Sequence, residues 1–124
     1  MKSERPLAVR FFQTAAGNEP VREWLRGLPK PDCKSIGADI LAVQYAWPLG
    51  KPLVGSLGDG IWEVRSRLEN RIARTLFVVV DEKIVLLHGF IKKQQKTPQA
   101  ELELAKKRKQ LYLQNYEPKN PRGK

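Results

Sequence analysis

Sulfur and imidazole are scarce in this sequence: it holds one cysteine, Cys33, and one histidine, His88. A single cysteine cannot form an internal disulfide, which fits a reducing compartment and an expected cytoplasmic location. One Cys and one His exclude a metal site of the usual His/Cys type, so neither a metal nor another cofactor is expected. No apolar run is long enough for a membrane span. The first residues, MKSERPLAVRFFQ, lack the apolar core of a signal peptide, and export is not expected. There is no Gly-rich phosphate loop and no Ser-His-Asp arrangement. Negative charge is also short. Thirteen Asp/Glu face 23 Lys/Arg, for a net charge of +10 and a pI near 10.0.

What the chain has instead is cationic residues in an uneven distribution. Residues 61–82 carry four Lys/Arg against four Asp/Glu, whereas residues 83–124 carry eleven against three. Such asymmetry in one small domain suggests a polyanionic partner, nucleic acid or an acidic protein segment, unless it is a solvated basic surface. A length of 124 residues suits one domain. The expected domain spans 1–116, followed by a basic, Pro-rich tail, 117–124, expected to be disordered.

The pattern predicts a first strand over Leu7–Phe12 and a short helix after Asn18, with Val21, Trp24, Leu25 and Leu28 at helical spacing. A second helix follows, capped by Asp32, with Ile36, Ile40, Val43 and Trp47 on one face. Trp24 and Trp47 are assigned to packing. Pro48–Gly60 turns, with room for a short strand at Leu53–Val54. Three strands then come in succession: Ile61–Leu68, Arg71–Val80 and Lys83–Ile91. Thr97 and Pro98 read as cap and first residue of a last helix, with Ala100, Leu104 and Leu111 on one apolar face and Ala105, Tyr112 and Tyr116 on another. The predicted fold is α+β, β-α-α-β-β-β-α. It has a mainly antiparallel twisted sheet, two N-terminal helices packed on it and a C-terminal helix.

The chemistry concentrates in Asp59–Pro98. In the strand from Ile61, Trp62, Val64 and Leu68 fall on one side and Glu63, Arg65 and Arg67 on the other. If Glu69–Asn70 is a two-residue turn, Arg65 faces Arg74 and Arg67 faces Ile72. Like charges opposed across strands are destabilising. A phosphate between them would relieve this, because Arg matches it bidentately. So would an acid such as Glu63, in an ordinary surface network. Both readings stay open on this geometry. Lys92, Lys93 and Lys96 lie one strand over, and one of the first two should reach the arginine face. His88 is read as a packed strand residue, with acid/base work as a minority role. Cleavage of RNA needs little more than this. A 2′-hydroxyl can attack its own phosphate, cations can hold the developing charge, and a crowded lysine can move a proton.

The strings FFQTAAGNEPVREWLRGLP, PLGKPLVGSLGDGIWEVR and LLHGFIKKQQKTP followed by EL..AKKR resemble the HigB-like, phage-derived toxins of the RelE/ParE superfamily. These are the toxin halves of type II toxin–antitoxin modules. The resemblance covers nearly the whole chain and implies a RelE-like fold. It implies a metal-independent endoribonuclease that cleaves mRNA, often on the ribosome, and blocks translation. It also implies a small antitoxin partner, usually helix-turn-helix. Glu63 and Arg65 match the ExR motif, Arg74 the arginine of the following strand, and Phe90, Lys92, Lys93, Lys96 and Pro98 the F-x-K-K…K-T-P signature. The expected catalytic residues are Arg65, Arg74, Lys92 and Lys93, with Glu63, Arg67 and Lys96 in RNA binding. Ala73 stands where that family often has an aromatic residue. Relatives of the same fold target DNA gyrase, so the alternative is a non-catalytic basic domain that binds RNA or inhibits a protein target.

Overall fold

The computed structural model describes residues 6–50, 52–92 and 96–116, without the Lys92 side chain. Lys93 and the expected tail, 117–124, lie outside these residues. The elements are β1 (Ala8–Phe11), α1 (Pro20–Arg26), α2 (Lys30–Ala46), β2 (Val54–Gly58), β3 (Ile61–Leu68), β4 (Arg71–Val80), β5 (Lys83–Lys92) and α3 (Gln99–Gln114). The fold is α+β, with a five-stranded sheet in the order β1-β5-β4-β3-β2.

Two features correct the predicted topology. The turning segment carries a full strand, β2, antiparallel to β3. The sheet is mixed rather than antiparallel, because β1 runs parallel to β5. Tight turns dictate antiparallel pairing only between strands they join. That rule governs β3, β4 and β5. It does not reach β1, which meets β5 from the far end of the chain.

The turns themselves are as expected. Leu68 pairs with Arg71 across Glu69–Asn70, and Val80 pairs with Lys83 across Asp81–Glu82. Asn70, Asp81 and Glu82 adopt positive φ, 61°, 54° and 65°. Asn and Asp tolerate this left-handed region better than most residues. One irregularity interrupts β5: Leu76 pairs with His88 but Phe77 with Leu86, which leaves Leu87 as an extra residue. A bulge of this kind turns consecutive side chains to one face. Leu87 and His88 both reach the α3 side, Leu87 in the core there and His88 against Glu101.

The sheet has two covered faces. On one, α1 and α2 bury Val21, Ile36, Ile40 and Val43 against Val54, Val64, Ala73, Phe77, Ile84 and Leu86. Trp47 meets Trp62 and Phe77 edge-on, at 5.1 and 5.6 Å between ring centres. Trp24 packs on Gly89, where an added Cβ would lie 2.2 Å from the indole. Both tryptophans are packing residues. On the other face, α3 covers Ile61, Leu76, Val78, Val85, Leu87 and Phe90 through Ala105, Leu102 and Tyr112. Leu111 is 39% exposed and Ala100 is exposed, so the predicted Ala100–Leu104–Leu111 stripe is not the buried one.

Two predicted helix caps also move. Pro29 precedes α2, and Asp32 sits inside its first turn, where its carboxylate accepts from Arg71 at 2.9 Å. Pro98, not Thr97, occupies the cap position of α3. The Thr97 hydroxyl is used elsewhere.

Candidate functional site

The β3–β4 register is the predicted one: Arg65 faces Arg74 and Arg67 faces Ile72. Alternation along β3 sends Glu63 to the same face as both arginines. There its carboxylate resolves the like-charge pair. Oε2 accepts from Arg65 Nε at 2.8 Å and from Arg74 Nη1 at 3.0 Å. Oε1 accepts from the Thr97 hydroxyl at 2.6 Å. Charge-assisted bonds of this length are the strong kind. Of the two explanations for the arginine pair, the acid is the one the structure shows. An internal acid bridges the two guanidinium groups, yet one carboxylate against two cations leaves a net positive charge.

The two arginines are not equivalent. The Arg74 and Glu63 side chains are each 2% exposed, whereas Arg65 is 33% exposed. Arg74 is thus a buried charge beneath the site, and Arg65 is the one that reaches solvent. Gly55 of β2, paired with Glu63, supplies the floor under Arg65. A Cβ at Gly55 would approach Arg65 Nη2 to 2.6 Å. A glycine inside a strand often marks such a close approach.

The lysine cluster is only partly in view. Phe90, rather than a lysine, stands opposite Arg74, and the Lys92 backbone pairs with Ile72. Lys93 lies outside the described residues. Lys96 is exposed and precedes Thr97, so it stands next to the carboxylate cluster along the chain. Arg67 is exposed at the far end of β3.

A second polar network pins α3 to the sheet. His88 Nε2 lies 2.5 Å from Glu101 Oε1, and His88 Nδ1 lies 3.4 Å from Arg108 Nη1. Arg108 also donates to the carbonyl of Leu87 at 2.9 Å, the backbone oxygen freed by the bulge. Guanidinium is a donor only, so Nδ1 accepts and Nε2 carries the proton toward Glu101. Burial lowers the Arg108 pKa from its usual value. In the basic run of α3, Lys106 pairs with Asp59 at 3.4 Å and Lys109 donates to the Asp59 carbonyl. Lys107 remains exposed.

Sequence reasoning missed three participants. Thr97 was read as a cap, the usual role of Thr before a helix, and nothing local betrays its partner 34 positions away. Gly55 was one of several glycines in a turning segment. Its position in β2 opposite Glu63 is the signal that singles it out. Arg108 sits in a basic run, Lys106–Lys109, where nothing in the sequence sets it apart from its lysine neighbours. The Ala73 substitution also changes meaning: Ala73 is fully buried on the α1/α2 face, opposite to Arg74. Phe77 is likewise buried on that face. Tyr112 lies toward the other end of α3, beside a cleft of about 600 Å³ lined with Phe11, Phe12 and Leu111. Burial raises its pKa. None of these three positions offers a ring beside the arginines.

The site thus defines a small α+β domain with a partly buried cationic cluster, closed over by the start of its last helix. A family model spanning residues 23–110, described as phage-derived protein Gp49-like (DUF891), matches the chain, which belongs to that family. The family is associated with RelE/HigB-like toxins of toxin–antitoxin modules, and membership suggests an antitoxin partner. No curated protein matches the chain. Among the described residues, no helix is long and apolar enough to cross a membrane.

Proposed function

We propose that this protein is the HigB-like toxin of a type II toxin–antitoxin module and a metal-independent endoribonuclease that cuts mRNA, with the ribosome as a candidate place of action. The carrying observation is Arg65: a guanidinium one-third exposed, fixed through Nε by Glu63, with buried Arg74 behind it. With Nε occupied, its Nη groups face a phosphate. The 2′-oxygen attacks the adjacent phosphorus and loses its proton. The P–O5′ bond breaks, and the departing 5′-oxygen takes up a proton. Arg65 stabilises the charge on the non-bridging oxygens, and Arg74 adds positive potential from below. Lys92 and Lys93 share the phosphate contact and move the protons. Arg67 and Lys96 follow the RNA backbone. Glu63 serves the RNA indirectly, by orienting the arginines.

The test is induced expression with growth followed and RNA ends mapped. Growth arrest with in-frame mRNA cuts is expected. Arg65→Ala should lower cleavage by about 10²–10³-fold, the usual loss for one preorganised charge donor. Intact toxicity in Arg65→Ala, or in both Arg74→Ala and Lys93→Ala, would show the assigned site to be wrong. One observation favours the alternative, a basic domain that binds RNA or a protein target such as gyrase without cleavage. Glu63 and His88, the acid and the imidazole on this face, are both already engaged. That reading predicts growth inhibition without RNA cuts.

A further inference from the structure

We infer that Thr97 is a positioning residue for Arg65, acting through Glu63, so that seating the start of α3 sets the geometry of the arginine pair. The chain of contacts is short. Thr97 donates to Glu63 Oε1 at 2.6 Å, and Glu63 Oε2 receives Arg65 Nε at 2.8 Å and Arg74 Nη1 at 3.0 Å. A carboxylate held through one oxygen alone can still rotate about its last side-chain bond. Engagement of the second oxygen fixes its plane, and with it the direction in which the shared oxygen faces the two guanidinium groups. Thr97 supplies that second hold among the described residues.

Thr97 can do so because α3 is itself fastened to the sheet. Glu101, Ala105 and Arg108 lie at helical spacing on the side of α3 that faces the sheet, and Thr97 immediately precedes the Pro98 cap of that helix. Glu101 takes His88, and Arg108 takes the Leu87 carbonyl. The hydroxyl is therefore carried on a helix start anchored within one turn by a second polar contact. A threonine on a free loop would lose rotamer and backbone freedom on binding Glu63. Here much of that ordering is already provided by the helix. Gly55 completes the constraint from below, by leaving space for Arg65 Nη2.

The chemical consequence falls on Arg65. Buried Arg74 is confined by its surroundings whether or not Glu63 is oriented. Arg65, one-third exposed, has solvent as an alternative partner and swings out when its acceptor turns. A guanidinium misplaced by about 1 Å can cost up to ~10²-fold in an oriented reaction.

The experiment compares wild type with Thr97→Val and Thr97→Ser by NMR of the arginine Nε–Hε groups, after thermal melting has shown that each variant is folded. The expected result is faster hydrogen exchange at Arg65 Nε in Thr97→Val, little change at Arg74 Nε, and recovery in Thr97→Ser. Unchanged Arg65 exchange in Thr97→Val, or no recovery in Thr97→Ser, overturns the inference. This readout needs no RNA. It therefore separates the inference from the proposed function on which its biological meaning rests. A second arm measures affinity for a short 2′-O-methyl RNA, which cannot be cleaved. Thr97→Val should weaken it about tenfold, within the range expected for a misplaced contact, and Thr97→Ser should restore it. If wild type neither binds nor cuts RNA, the proposed function fails, and the exchange measurement still decides the role of Thr97.

Discussion

The two faces of the sheet bury their residues by different physics. The α1/α2 face is packed mainly with hydrocarbon and indole, whose contacts are individually weak and undirected. The α3 face buries a carboxylate and a guanidinium, each 2% exposed, in directed bonds. A gap on the first face loses contacts in proportion to the atoms removed. A gap on the second leaves a charge without its counterpart, whose cost depends on what remains. Each face of the sheet thus carries an apolar core, and the α3 face adds a directed cationic network beside its own.

The largest expected effects set the two faces directly against each other. Phe77→Ala should cost about 3–5 kcal/mol through its cavity. Glu63→Ala should cost a similar ~3–5 kcal/mol, because it removes a buried carboxylate partner of Arg74. The sharper distinction is repair. Glu63→Leu combined with Arg74→Met should recover much of that loss in urea unfolding, since a buried pair can often be replaced by apolar groups of like size. If the double variant is no more stable than Glu63→Ala, the α3 face is not held by compensated charge.

Glycine substitutions make the next comparison. Gly89→Ala drives a methyl into the Trp24 ring and should cost about 1–3 kcal/mol by overpacking. Gly55→Ala meets only the movable end of Arg65. Gly55 is buried, but the group that must yield is the end of a flexible side chain, so the stability cost should be smaller than at Gly89, while Arg65 is displaced and RNA cleavage falls. A Gly55→Ala protein as active as wild type would show that Arg65 needs no floor. The smallest effect should come from the ion pair at the edge of the α1/α2 face. Arg71 is 34% exposed, so Arg71→Ala should cost about 0.2–1 kcal/mol after screening, measured as a shift in urea midpoint.

Strand pairing in the site was legible because the Glu69–Asn70 turn sets it locally. Once that turn is fixed, Arg65 must meet Arg74. Burial of Ile36, Ile40 and Val43 was legible for a similar reason, since a helical period needs no knowledge of the partner. The direction of β1 was not legible, because its neighbour comes from the far end of the chain. Neither was the Thr97–Glu63 bond. A hydroxyl that could satisfy a helix end locally has no sequence mark when it turns to a distant carboxylate. The ranking of the arginines was also hidden: alternation assigns a face, but depth within that face depends on what α3 covers.

The extra residue Leu87 has a further consequence. It acts as a phase shifter within one strand. Before it, β5 keeps step with the apolar half of β4, and Ile84 and Leu86 face α1 and α2. After it, the step is offset, so that Phe90 comes level with Arg74 and Gly89 slips under Trp24. One strand therefore serves two patterns that a single uninterrupted alternation could not satisfy. Arg108, bound to the carbonyl at the offset, is the clasp that holds the two halves out of step.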